Sequence, residues 1–263
     1  MDILIQLSAN SSGLSSNVNW TNNGATWNTK GKFSSNYAID LNADKYMTSN
    51  VGIILPYNEK WFIYLWNYKS SRTNYDTIIG GTNSYYYSLQ NKDAEFSNKA
   101  GMRIYANGYS ISSTNEQPLN EWVHYYIDCD GNGNISFYLN GNLQQSITKN
   151  QNIDFSSFNL GSWGEGKFKD GTPGLIDDLV IAKGEQLFIS NFNIPEVKFD
   201  NLMNINQSII LSYADKGIIN NLDLYTTNDY SNAFVTPSKF ITNNAIDEDS
   251  NLIPYYADMV KKL

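Results

Sequence analysis

The chain has one cysteine and one histidine in 263 residues, and charged side chains make up only 17%. A single cysteine, Cys129, excludes an internal disulfide framework. The single histidine, His124, falls inside an expected strand, where a lone histidine is more often packed than catalytic. No G-x-S-x-G is present either. Lys and Arg total 18 with no cluster, and the net charge is −8, so no basic patch exists for nucleic acid. The acidity is spread along the chain and reads as solubility. No apolar run approaches the roughly 18 residues of a membrane span, and no basic amphipathic helix offers a membrane anchor. The opening MDILIQLSANSSG has neither a cationic n-region nor a long apolar h-region. The expectation is that the chain leaves a cell by a route other than ordinary secretion.

What the chain does have is aromatic and short-period. Hydrophobic residues reach 41%, and 19 Tyr and 12 Phe dominate the aromatics. Such side chains suit pleated, half-buried surfaces. Two hairpin signals follow one another in NEWVHYYIDCDGNGNISFYLNGNLQQ, Asn120 to Gln145. Trp122, His124 and Tyr126 alternate with Val123, Tyr125 and Ile127, the period of a two-faced strand. The Asp130 to Asn134 cluster breaks the run. Ile135 to Leu139 resumes it, and Asn140-Gly141 supplies the residues of a type I′ turn.

Strand after strand is expected from Met1 to about Pro195: Ile3 to Leu7, Tyr37 to Leu41, Trp61 to Trp66, Thr77 to Ile79, Tyr85 to Leu89, Met102 to Tyr105, Phe155 to Leu160 and Leu175 to Ala182. Turn clusters separate them, among them Ser8 to Asn17, and no helical periodicity intervenes. This pattern predicts an all-β, two-sheet antiparallel jelly-roll sandwich over residues 1–195. Residues 196–263 form a short mixed extension, thin in apolar content, that ends in a helix from Asp249 with Lys261-Lys262 at its C-terminus. So thin a segment is expected to dock on the sandwich or on a partner.

Three segments carry a resemblance to a known family. NWTNNGATWNTKGKFSSNYAIDLN, Asn19 to Asn42, resembles the opening of laminin-G-like (concanavalin A-like) domains, especially those of tailed bacteriophages. Asn120 to Leu143 is similar to the family's W-x-H strand and Y-L-N-G hairpin. Gly174 to Ile181, GLIDDLVI, resembles its closing I-D-D strand, and LFISNFNIP its usual tail. The resemblance implies a jelly roll of the lectin/glucanase type, and it stops at Pro195.

The candidates for chemistry divide by what each needs. A retaining glucanase on this fold needs two carboxylates about 5 Å apart on one strand face. Asp177 and Asp178 are adjacent and expected on opposite faces, while Asp128 and Asp130 share a parity but run into a glycine turn. The expectation is therefore a non-enzymatic protein. Asp128 to Asn134 matches the first half of an EF-hand loop, yet position 12 is Leu139, so the cluster reads as turn chemistry and no cofactor is expected. The resemblance allows a Ca²⁺ at the sandwich rim, with Asp93, Asn107 and Asp170 on expected loops.

Glycan binding would use outward aromatics, and the candidates are Trp163, Tyr85, Tyr86 and Tyr87. Trp163, in GSWGEG, reads either as a loop anchor or as a stacking platform; Trp61, Trp66 and Trp122 are expected in the core. Asp177 is expected to accept a backbone N–H from a neighbouring loop. The function expected is a non-enzymatic virion protein of a tailed bacteriophage that decorates the particle or touches host surface glycans. Its partners would be other virion proteins, a host cell-surface glycan and, in a homo-oligomer, further copies of itself; nucleic acid and membrane are not among them. The alternative is a bacterial surface adhesin or carbohydrate-binding module, and behind it a glycoside hydrolase.

Overall fold

The computed structural model of the chain describes residues 1–11, 13–33, 37–41, 45–71, 76–81, 87–93, 99–104, 109–162 and 174–199. Its first strands are β1 (Asp2–Asn10), β2 (Gly13–Ser16), β3 (Trp20–Asn23), β4 (Thr26–Asn28), β5 (Ala38–Asp40) and β6 (Tyr46–Ser49). Next come β7 (Ile53–Leu55), β8 (Lys60–Tyr68), β9 (Thr77–Gly81), β10 (Tyr87–Asp93), β11 (Lys99–Ile104) and β12 (Tyr109–Ser112). The last are β13 (Trp122–Asp130), β14 (Asn134–Leu139), β15 (Asn142–Thr148), β16 (Ile153–Phe155), β17 (Phe158–Leu160) and β18 (Leu175–Lys183).

Among the described residues these strands build two large antiparallel sheets and one two-stranded sheet. A nine-stranded sheet runs β15-β14-β13-β8-β18-β1-β2, with β5 and β4 branching from β18. A seven-stranded sheet runs β12-β11-β10-β9-β17-β6-β3, and β7 pairs with β16 apart from both. The expected all-β, two-sheet sandwich is the fold found.

The core lies between the sheets and follows from the two-residue period. Ile63 and Leu65 of β8, Val123, Tyr125 and Ile127 of β13, and Ile176 and Ile181 of β18 project into it. From the seven-stranded sheet comes a row of directly paired residues: Met47, Leu160, Ile79, Leu89, Met102 and Ile111. At one edge the two sheets are stitched by side chains. Gln145 Oε1 of β15 accepts the Ser112 N–H at 2.8 Å, and Gln144 Oε1 accepts the Thr114 N–H at 3.1 Å.

The double hairpin is present as β13-β14-β15. Asn140 (φ 47°) and Gly141 (φ 75°) make its second turn, the positive-φ pair that type I′ requires. The sequence pattern does not announce β3, β4, β6, β7 and β12, and several strand limits differ from it, two of them instructively. Phe155 to Leu160 is two strands, β16 and β17, which belong to different sheets. The Ser8 to Asn17 cluster, expected as a break, holds the end of β1 and all of β2, paired from Leu7↔Ser16 to Asn10↔Gly13. Short polar side chains do not prevent pairing where the backbone hydrogen bonds are all that is needed.

The chain divides into two units, Met1–Gln186 and Leu187–Leu263. In the second, Leu187 and Phe188 are buried, and Phe188 stacks on Phe192 with ring centroids 3.7 Å apart. The helix expected from Asp249 lies outside the described residues.

Candidate functional site

Each sheet has a second face, turned away from the core, and the two differ in chemistry. On the seven-stranded sheet the outer positions form one cross-strand row. Thr21 pairs with Thr48, Thr48 with Asn159 and Asn159 with Gly80. At its centre Asn159 is 0% exposed, and neither its Nδ2 nor its Oδ1 has a hydrogen-bond partner. Its neighbours in the strand, Phe158 and Leu160, are in the core, so period 2 aims the amide outward from it. Ser162, three residues on, is also fully buried with an unpartnered Oγ. Between them Gly161 (φ 79°) lies so close to Lys45 that a Cβ there would stand 2.6 Å from its carbonyl oxygen. A buried amide with no partner costs stability, on the order of 1–3 kcal/mol. Such a group is worth keeping where something else hydrogen-bonds it.

The outer face of the nine-stranded sheet is acid and aromatic. Three rows cross it: His124–Trp66–Asp177, Tyr126–Tyr64–Val180 and Asp128–Phe62–Ala182. His124 packs against Tyr64 and Trp66 with ring centroids 4.5 and 4.9 Å away, and all three rings are fully buried. Burial, aided by the Lys32 charge, pushes the imidazole down to about 3, so it is neutral here. Burial also raises the Tyr64 hydroxyl far above its ordinary value, and the Asp178 and Asp177 charges add to the rise.

Those two aspartates correct the expectation that they point to opposite faces. The β18·β8 register slips between Asp177 and Val180, and Asp178 has φ 51°. Ile176 and Leu179 are both in the core, so the bulge leaves Asp177 and Asp178 together in one outward step. The strap that follows β4 closes over them. The Lys32 N–H donates to Asp177 Oδ2 at 2.9 Å, its ammonium sits 4.2 Å from the Trp66 ring, and Phe33 meets Trp66 edge-on at 6.0 Å. Asp177 thus accepts a loop N–H, as its place on the closing strand predicts.

Asp128 is farther along the same face and 1% exposed. Two strand spacings and four residues put it about 16 Å from Asp177, against about 5 Å for a retaining carboxylate pair. Burial pushes its carboxyl up to about 7; hydrogen bonds from Gln186 and Tyr126 oppose that rise, and the Asp130 charge adds to it.

The EF-hand-like loop is a self-contained turn. Asp130 Oδ1 accepts the N–H groups of Asn132 (2.7 Å) and Asn134 (3.1 Å), and Oδ2 accepts Asn134 Nδ2 at 2.7 Å. Burial works to raise this carboxyl, but the bonds from Asn134 and Asn132 outweigh it and hold it below the ordinary value. These bonds close the loop on itself without a metal, the turn chemistry that its Asp, Gly and Asn content predicts. Among the described residues no three His, Cys, Asp or Glu side chains gather to hold a metal.

Of the stacking candidates, Trp163, Tyr85 and Tyr86 lie outside the described residues, as do Asn107 and Asp170. Tyr87 opens β10, and Asp93 closes it. The flanking strands are informative. Phe158 pairs with Gly81 and Leu160 with Ile79, so the chain leaves β17 toward Trp163 at the end opposite to where it leaves β9 toward Tyr85. Trp61 is in the core, whereas Trp66 is buried on the outer acid-aromatic face. Asn159 and Ser162 carry no sequence motif. The one legible clue is that they flank Gly161, two residues ahead of Trp163.

Comparison with known proteins identifies the fold family. Residues 41–185, more than half of the chain, match the concanavalin A-like lectin/glucanases superfamily (Laminin_G_3), and the chain belongs to that family. No curated protein matches its sequence. Domain 4 of AbnA, a GH43 extracellular arabinanase from Geobacillus stearothermophilus solved in complex with arabinotriose, is 18% identical with a TM-score of 0.53. It matches over 70% of this chain and 93% of that domain. The binding domain of Paraclostridial Mosquitocidal Protein 1 is 15% identical with a TM-score of 0.52, over 79% of this chain and 52% of its own length. The botulinum neurotoxin serotype D binding domain is 14% identical with a TM-score of 0.51, over 73% and 49%. The chain thus spans about half the length of the two toxin domains, and identities this low show a shared fold alone.

Proposed function

We propose that this member of the concanavalin A-like superfamily is a non-enzymatic carbohydrate-recognition domain, and that it serves on the particle of a tailed bacteriophage. One observation carries the recognition reading. Asn159, fully buried in a polar row, has a donor and an acceptor that the protein leaves unused, and a sugar reaches them once what covers the amide is displaced. A sugar hydroxyl satisfies both arms of an amide at once, because it donates and accepts. Trp163, next in sequence to Ser162, is the residue we assign to stacking on the sugar ring. The arabinotriose bound to domain 4 of the arabinanase makes neutral oligosaccharides the first probes to try. The non-enzymatic reading is supported by the carboxylates of the other face. Asp177 is engaged by Lys32, and Asp128 stands too far away to act with it.

A glycan array followed by titration calorimetry tests the recognition reading. Retention of a neutral oligosaccharide with a Kd of about 1–100 μM is expected, with a loss of about tenfold or more in Asn159→Ala. Absence of any retained glycan at high micromolar protein overturns it. The particle reading rests on the likeness of Asn19 to Asn42 to the opening of such domains in tailed bacteriophages. Its test is the coding context and the protein content of purified particles. Capsid or tail genes alongside, and the chain in the particle, support it; an export system alongside points to the adhesin alternative.

A further inference from the structure

The residues leaving β18 are fastened to the acid-aromatic face at one carboxylate. Gln186 Nε2 donates to Asp128 Oδ2 at 3.0 Å, while Asp128 Oδ1 is buried with no hydrogen-bond partner. Phe62 of β8 and Ser136 of β14 stand directly across from Asp128 in the sheet. The titratable groups around it are Tyr126, Asp130 and, four residues back, His124 on its own strand, Tyr138 on β14, and Tyr64 and Lys60 on β8. From β18 and its exit come Lys183, which reaches Glu59 at 3.8 Å, and Glu185, which binds the Met1 amine at 2.9 Å. The charge that bears on Asp128 is Asp130, of the same sign.

The elements meeting at this carboxyl are not equally secure. β13, β14 and β8 are joined by continuous ladders of backbone hydrogen bonds. The exit segment Gly184–Gln186 continues no ladder, and its contacts include Gly184 N–H to the Lys60 carbonyl at 2.7 Å, Glu185 to Met1, and Gln186 to Asp128. It is therefore the element that yields first when water is drawn to the site.

We propose that Asp128 and Gln186 form a proton-operated clasp: with Asp128 neutral the exit segment Gly184–Gln186 stays docked, and ionisation of Asp128 drives it off so that water reaches the carboxylate. Ionisation strengthens the bonds that the carboxyl accepts from Gln186, Tyr126 and the Ser136 backbone. It leaves Oδ1 dry, however, and the burial cost is the larger effect. In the docked state the carboxyl titrates at about 7; once hydrated it returns to near 4. The docked state therefore binds the proton more tightly, and undocking gains as pH rises. The gain is about tenfold per unit between pH 4 and 7 and level above, about a thousandfold in all. The clasp lies on the other sheet from Asn159 and does not depend on glycan binding.

Hydrogen-exchange protection factors of the Gly184–Gln186 amides, measured from pH 4 to 8 on the full chain, test the clasp. Protection should fall steeply to pH 7 and then level in the natural sequence. It should be independent of pH in Asp128→Asn, which keeps the shape and cannot ionise. Glu185→Gln should keep the pH dependence, since that ion pair is not the trigger. Flat protection in the natural sequence, an unchanged profile in Asp128→Asn, or a lost one in Glu185→Gln overturns the proposal. Carbon-13 titration of the Asp128 carboxyl needs no variant, and a midpoint near 4 would sink it independently.

Discussion

On the nine-stranded sheet the positions facing away from the core hold Phe62, Tyr64, Trp66, His124, Tyr126 and Asp128; on the seven-stranded sheet they hold Thr21, Thr48, Asn159 and Gly80. Both sets arise from the same two-residue alternation. The first is a second core: its rings pack on one another, and its ionisable groups are held neutral or engaged. The second is small and polar, with an amide left unpaired at its centre. The difference separates stability from recognition. Damage to the acid-aromatic face should unfold the domain, and damage to the polar face should cost binding alone.

The largest effects should come from pH, where two buried groups oppose each other. His124 titrates at about 3 in the fold against 6.5 in the open chain, so it costs stability as pH falls between those values, by roughly 5 kcal/mol. Asp128 titrates at about 7 against 3.8, so its contribution is lost as pH rises between them, by roughly 4 kcal/mol. From pH 4 to 6.5 the two slopes cancel. Urea titrations should show Asp128→Asn gaining stability from pH 3 to 6.5, and His124→Phe losing it from pH 4 to 7. Parallel profiles for the two variants would break the picture of a compensated second core.

Trp66→Ala removes a ring that contacts His124, Phe33 and Lys32, and should cost about 3–5 kcal/mol in denaturant unfolding. Asp177→Ala strands the Lys32 N–H and should cost about 1–3 kcal/mol; an unchanged melting temperature would remove the strap from the account. The smallest change in stability is expected at Asn159→Leu, which replaces an unpaired amide by an apolar group of similar size. It should leave melting unchanged or raise it by about 1 kcal/mol while abolishing glycan retention. Strong destabilisation by Asn159→Leu would mean that the polar face, too, is structural.

Much of this comparison is legible in the residues. The alternation of Trp122, His124 and Tyr126 against Val123, Tyr125 and Ile127 separates the two faces of β13, and Asn140-Gly141 marks its hairpin partner. A carboxylate on the closing strand reads as an acceptor of loop N–H groups, and Asp177 is one. The joint placement of Asp177 and Asp178 is not legible, because strict alternation puts neighbours on opposite faces. The bulge that overrides it puts a non-glycine residue at positive φ, which no local signal announces. Nor does the sequence mark Asn159, since an asparagine in a short strand looks the same paired or unpaired.

The two-sheet sandwich, the hairpins and the turn chemistry of Asp130 to Asn134 follow from the residues alone. These depend on side-chain period and on backbone preferences that act over a few residues. Strand packing settled which alternating set became a second core and which stayed polar. It also decided that Asp128 would meet Gln186 58 residues away. Those outcomes depend on strand order and on what covers each face. Burial then sets the protonation state and partner count of every group beneath, and neither can be read from neighbours in the chain.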